Sequence, residues 1–139
     1  MDQLLFPANG PSADRIVSEL QQLRLGDRIL DGPPQSDCWF TVEILDRRRT
    51  MALRSTRHVP IAWRDRFGAS LEWVWSWHLD QPWPGVTRLV QRNRMKLRPR
   101  WFEVAFLAAI VPADFVMARS HLQAIKRLAE STPVQEAAA

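Results

Sequence analysis

The chain has 139 residues, of which 46% are hydrophobic and 24% charged. These values fit one soluble globular domain and exclude a low-complexity or fibrous protein. A single cysteine, Cys38, excludes an internal disulfide and leads us to expect a cytoplasmic protein. The net charge of +4 permits nucleic acid or an anionic membrane as a partner, but it favours neither.

The first predicted element is a short helix that begins at Ser12, a plausible N-cap, and ends at Gly26. Ile16, Leu20 and Leu23 recur at helical spacing within it. The residues before Ser12 lack the basic and apolar regions of a signal peptide. A short strand and a Gly-Pro-Pro loop are predicted to follow the helix.

The stretch "CWFTVEIL" alternates between apolar and polar residues, which predicts a strand with Phe40, Val42 and Ile44 on one face. "DRRR" is predicted to form a charged turn, and "TMALRST" the returning strand of a hairpin. Residues 57–69 contain Pro60 and Gly68, and we expect a loop there.

A second hairpin is predicted from "SLEWVWSWHL" and "TRLVQRNRMKLR", joined by "QPWPG". The alternation places the tryptophans of the first strand on the same face as the apolar side of the returning strand. Glu72 and Asp80 point the other way, where we expect them to pair with arginine. The shared inner face comprises Leu71, Trp73, Trp75, Trp77, Leu79, Thr87, Leu89, Gln91, Asn93 and Met95.

After Pro99 the spacing of the apolar residues changes from a period of two to one of 3.6 residues. This change predicts two helices separated at Pro112. The second helix carries an apolar stripe, in which Leu122 and Ile125 are expected to be buried against the sheet. The stripe consists of Phe115, Ala118, Leu122, Ile125 and Ala129. The uncharged run is too short for a transmembrane segment, and residues 131–139 are predicted to be a frayed tail. Strands followed by a long amphipathic helix indicate an α+β fold.

The order of several short motifs resembles the SRPBCC (START-like, polyketide-cyclase-like) superfamily. The motifs are "LGDRILDGP", "FTVEILD", "WSWHL" with "TRLVQRNR", and "DFVMARSHLQAIKRLAE". The resemblance implies a single domain over residues 1–139, with a core of about 12–130, in which a curved antiparallel sheet grips the C-terminal helix. It also implies a cavity for a lipid, a polyketide or another apolar molecule.

Members of this superfamily usually have a further strand and two short helices before the segment that matches Ser12 to Leu23. By that comparison the chain is N-terminally short, which implies an open sheet edge and a partly uncovered cavity. A homodimer is therefore a possible state.

The candidate ligand-binding residues lie on the predicted inner face of the sheet and on the closing helix. Three alternatives stay open: these side chains form only an ordinary core, they form a ligand cavity, or they form the cavity of a cyclase or dehydratase. A structural or interaction protein with a vestigial pocket is a further possibility. The candidates are Phe40, Val42, Trp73, Trp75, Trp77, Leu89, Gln91, Asn93, Phe115 and Leu122.

No catalytic residue, metal ligand or cofactor is assigned from the sequence. His58, His78 and His121 lack metal-binding spacing, and no Ser-His-Asp arrangement, P-loop or GxGxxG motif is evident. Arginines alternate along the second returning strand, but no aromatic residues alternate with them on their own face. We therefore do not expect nucleic-acid binding, and a solvated sheet face explains the arginines.

Overall fold

The computed structural model describes residues 21–31 and 37–131, which form an α+β fold. The predicted helix start at Ser12, the Gly-Pro-Pro loop and the tail after Ser131 lie outside these residues. The elements are β1 (Arg28–Leu30), β2 (Trp39–Asp46), β3 (Thr50–Ser55), α1 (Ile61–Phe67), β4 (Ser70–Trp83), β5 (Val86–Arg98) and α2 (Arg100–Ser131).

The five strands form one open antiparallel sheet in the order β1-β2-β3-β4-β5. Val42 pairs with Leu53, Leu53 with Trp75, and Trp75 with Asn93, so these side chains cross the sheet on one face. The predicted inner face of the second hairpin is thereby confirmed from Leu71 to Leu79 and from Leu89 to Met95, whereas Thr87 is exposed near the irregular end of the hairpin. β4 continues through part of the predicted turn, and Trp83 pairs with Val86 around a turn at Pro84 and Gly85.

A β-bulge in β2 corrects the predicted face of Ile44. The register shifts between Val42 and Ile44, after which Ile44 pairs with Ala52 and Leu45 with Met51. One extra residue reverses the alternation, so Leu45 packs into the core and Ile44 is 52% exposed. The apolar alternation of the sequence continues through the bulge and does not reveal it.

Residues 57–69 are not only a loop, because they contain the helix α1. Pro60 precedes the helix, where its missing N–H costs no hydrogen bond. Gly68 ends it in the left-handed conformation, with φ of 61°, and donates its N–H to the Arg64 carbonyl. The breakers at Pro60 and Gly68 thus mark the two ends of a helix of only seven residues.

The C-terminal region is one helix of 32 residues, and the predicted break at Pro112 does not occur. Proline removes one backbone hydrogen bond, to the carbonyl of Ala108, and both residues are exposed to water at this point. Leu122 and Ile125 are half-buried rather than buried. The reason is that α2 packs mainly along β5, at one edge of the sheet, instead of across its centre.

Two clusters of buried side chains form the core of the described residues. One lies under the start of α2 and contains Val59, Ala69, Leu71, Leu97 and Phe102. The other occupies the centre of the sheet and contains Phe40, Val42, Leu53 and Trp77. Trp73 packs against both clusters and connects them.

Candidate functional site

The three alternating tryptophans of β4 form an aromatic row on the inner face of the sheet. Trp73 and Trp75 stack with ring centroids 6.3 Å apart, and Trp75 and Trp77 are 4.6 Å apart. The His121 ring of α2 lies 5.9 Å from Trp75 and 6.3 Å from Trp77. The helix therefore covers the row only in part: Trp73 and Trp75 are half-buried, and Trp77 is buried.

The predicted ligand-binding residues divide into a buried group and a group that is open to a groove. Phe40 and Val42 are each 1% exposed and lie in the centre of the core. Leu89 packs against the same core cluster as the tryptophans. The remaining four, Gln91, Asn93, Phe115 and Leu122, line a groove between β5 and α2.

The groove has a volume of about 620 Å³ and a predominantly apolar wall. Its apolar floor and rim come from successive turns of α2, while β5 contributes two amide side chains. Phe115 is 68% exposed, so it forms the rim and does not insert between helix and sheet. The lining residues are Gln91, Asn93, Val111, Asp114, Phe115, Ala118, Arg119, Leu122, Gln123 and Lys126.

A hydrogen bond across the groove joins the sheet to the helix. The Asn93 Nδ2 amide donates to Asp114 Oδ2 at 2.8 Å. On the next inward position of β5, the Gln91 Oε1 atom accepts a hydrogen bond of 3.2 Å from Trp77 Nε1. The two inward amides predicted from the alternation therefore find polar partners, one on α2 and one on β4.

Three buried polar atoms have no hydrogen-bond partner within the described residues: Trp73 Nε1, Trp75 Nε1 and Asn93 Oδ1. A buried polar atom without a partner costs about 1–3 kcal/mol. Asn93 lines the groove, but its carbonyl oxygen is itself buried, so a hydroxyl or amide donor bound there would reach it only after a shift of the Asn93 side chain. The tryptophan N–H groups are two further donors on the same face of the sheet.

Sequence reasoning missed Asp114, Arg119 and Lys126 as residues of the groove. Asp114 interrupts an otherwise apolar stretch of the helix, and this isolation is the signal that could have identified it. Arg119 and Lys126 are separated by seven positions, or about two helical turns, and hence lie on the same side of α2. They place positive charge along one side of the groove, where Lys126 also contacts Glu130 at 3.7 Å.

A Ser-His-Asp arrangement is present, although no sequence motif indicates it. His58 Nδ1 lies 2.8 Å from Ser55 Oγ, and His58 Nε2 lies 2.8 Å from Asp31 Oδ2. In hydrolases the hydroxyl group meets Nε2 and the carboxylate meets Nδ1, the reverse of this order. Ser55 is only 4% exposed and its oxygen also accepts the N–H of Arg57. The arrangement therefore holds the ends of β1 and β3 together and does not present a nucleophile.

The outer face of the sheet carries the ion pairs that the alternation predicts. Arg54 contacts Glu43 at 3.2 Å and Glu72 at 2.8 Å, and hydrogen bonds to these two carboxylates raise the pKa of Arg54. Asp80 accepts two hydrogen bonds from Arg88, which lower the pKa of Asp80. The predicted pairing of Glu72 and Asp80 with arginine is confirmed.

Within the described parts of the chain, no three His, Cys, Asp or Glu side chains are grouped as a metal site would need. Comparison with known proteins gave no match to a family model, to a curated protein or to a solved structure.

Proposed function

We propose that the protein binds a hydrophobic or amphipathic small molecule, of the lipid, polyketide or aromatic class, in the groove between β5 and α2. The observation that carries this proposal is a mostly apolar groove with two amide side chains on its β5 side. Its volume, about 620 Å³, is in the range of small-molecule sites. The resemblance to the SRPBCC superfamily supports the same class of ligand.

The groove has an apolar wall and a set of polar and charged side chains, which together favour a ligand with an apolar part and a polar part. Val111, Phe115, Ala118 and Leu122 offer apolar contact along about three turns of helix. Asn93 Oδ1 offers a buried acceptor without a partner. Arg119 and Lys126 offer positive charge at the side. A carboxylic acid with an apolar chain or ring and a hydroxyl group matches these features together.

A binding experiment tests this proposal with an environment-sensitive fluorescent dye. We expect saturable dye binding with micromolar affinity and displacement by a hydroxylated fatty acid or an aromatic polyketide. Leu122→Glu places a charge in the apolar wall and should weaken binding about tenfold or more, given the cost of desolvating a charge.

Leu107→Glu is the matched control because Leu107 lies on the same helix, is 36% exposed and does not line the groove. This variant should bind the dye as the parent protein does. Equal losses in both variants would show that the dye binds elsewhere, and the absence of saturable binding would refute the proposal. Conversion of a displacing compound to product would indicate the cyclase or dehydratase alternative.

A further inference from the structure

A cluster of exposed aromatic rings lies where α1 meets the start of α2. Trp63 is 45%, Phe67 43% and Trp101 53% exposed. Edge-to-face contacts hold the cluster together, at 6.3 Å between Trp63 and Phe67 and 5.7 Å between Phe67 and Trp101. The rings rest on buried Phe102, 5.8 Å from Trp63 and 6.1 Å from Trp101. These aromatic side chains are therefore held in place and exposed to solvent at once.

The apolar surface continues along the first half of α2. Val104, one turn after Trp101, is 69% exposed, and Ala105 and Ala108 beyond it are exposed as well. We name the surface formed by Trp63, Phe67, Trp101 and Val104 the aromatic patch. Its apolar character is unusual for the outward face of a helix in water, which normally carries polar side chains.

Three exposed arginines are close in sequence to residues of the aromatic patch: Arg66 adjoins Phe67, Arg100 adjoins Trp101, and Arg98 lies three residues before Trp101. The Arg66 guanidinium lies 5.1 Å from the centre of the Phe67 ring. Within the part of the chain that the structure describes, none of these three arginines forms a salt bridge. The patch thus combines exposed aromatic rings with cations whose charge is not neutralised by a neighbouring carboxylate.

By length and composition alone, α2 is long and apolar enough to cross a membrane, contrary to the expectation from the sequence, and little of its most apolar stretch is buried. Phe102 and the Asn93–Asp114 hydrogen bond nevertheless attach the helix to the sheet. A helix held in this way presents its apolar side parallel to a surface. Tryptophan beside arginine is the composition that favours the headgroup region of an anionic bilayer.

We propose that the aromatic patch binds the protein to the surface of an anionic membrane. Trp63, Phe67 and Trp101 lie at the level of the headgroups in this arrangement. Arg66, Arg98 and Arg100 contact the lipid phosphates. The proposal does not depend on the ligand groove, whose lining residues lie on β5 and further along α2.

Vesicle co-sedimentation with the full chain tests the proposal. We expect binding to vesicles of phosphatidylcholine mixed with phosphatidylglycerol, much weaker binding to phosphatidylcholine alone, and a loss of binding at high salt. Replacing Arg66, Arg98 and Arg100 by glutamine should reduce the partition coefficient about 100-fold, because each arginine near an anionic surface contributes about fivefold. The matched control replaces Arg47, Arg48 and Arg49 in the β2–β3 turn and should have little effect.

The apolar contribution is tested by Val104→Asp, which changes a highly exposed position and should leave the fold intact while it abolishes vesicle binding. Trp101→Ser should also weaken binding, whereas Trp83→Ser, which alters an even more exposed tryptophan at the tip of the β4–β5 hairpin, should not. Circular dichroism of each variant checks the fold.

Three results would overturn the proposal. The first is no preference for anionic vesicles, and the second is equal loss of binding in the matched controls. The third is a concentration-dependent dimer in sedimentation that Val104→Asp abolishes, because the patch would then be an interface between two copies of the chain.

Discussion

Phenylalanine occupies two opposite environments in this protein, one at the centre of the sheet and one on the helix. Phe40 on β2 is 1% exposed and contacts the rings of His58, Trp73 and Trp75. Phe115 on α2 is 68% exposed and lies at the rim of the groove. The same side chain contributes to stability in the first place and is available for binding in the second.

The difference follows from the number of neighbours that each element has. Strands β2, β3 and β4 have a partner on both sides and a packed inner face. α2 packs mainly on the edge strand β5 and buries only Phe102 fully. The helix therefore has more apolar surface than packing uses, and both proposed binding surfaces lie along it.

The largest expected effect compares Phe40→Ala with Phe115→Ala. Removal of a fully buried phenylalanine leaves a cavity and should lower the free energy of unfolding by about 3–5 kcal/mol. Removal of Phe115 should change it by about 0.5 kcal/mol or less, since the ring is mostly in water. Urea denaturation of the two variants measures the difference, and similar losses would mean that α2 packs over the sheet more closely than the structure shows.

The hydrogen bonds of buried Ser55 to Arg57 and His58 should give the next largest effect on the free energy of unfolding. Ser55→Ala removes the oxygen that accepts the Arg57 N–H and contacts His58. The unfolding free energy should fall by about 2 kcal/mol, because a buried donor loses its partner. Ser70→Ala, at an exposed strand position, is the control and should be nearly neutral. A neutral Ser55→Ala would show that β3 and the His58 loop do not need this contact.

The hydrogen bond between Asn93 on β5 and Asp114 on α2 should contribute less to global stability but more to the order of α2. Asp114→Ala removes the charged acceptor of Asn93 Nδ2, at a cost of about 1.5 kcal/mol. Amide hydrogen exchange should accelerate in the second half of α2, while β2 and β3 stay protected. Asp65→Ala, an exposed position on α1, provides the control. Uniform acceleration in every element would mean that helix and sheet unfold as one unit.

The smallest effect concerns the exposed Asp80–Arg88 pair on the outer face of the sheet. Hydrogen bonds from Arg88 lower the pKa of Asp80 in the folded protein. The pair therefore stabilises the fold above the ordinary pKa of aspartate, and this contribution disappears as the pH falls through the lowered pKa. Arg88→Gln should return the Asp80 pKa toward its ordinary value in an NMR titration, whereas Arg92→Gln should leave it unchanged. An unshifted Asp80 pKa in the parent protein would contradict the geometry.

Alternation alone was sufficient to predict the second hairpin, because Trp73, Trp75 and Trp77 and their partners on β5 follow period two without interruption. The same rule failed at Ile44, since the bulge inserts one residue into β2 at a point that the alternation of apolar and polar residues does not mark. Pro112 predicted a break that an exposed helix does not require. Asp114 could not be predicted as a partner of Asn93, because their distance depends on how α2 lies along β5.

Pro112 also divides α2 into two parts that can open separately. Its nitrogen carries no hydrogen, so no backbone hydrogen bond runs from this residue to Ala108. The part before it is secured by buried Phe102, and the part after it by the Asn93–Asp114 hydrogen bond. Each part has its own attachment to the sheet, and the missing backbone hydrogen bond lies between them. The helix is therefore built so that its second part, which holds the groove, can fluctuate while the first part stays in place.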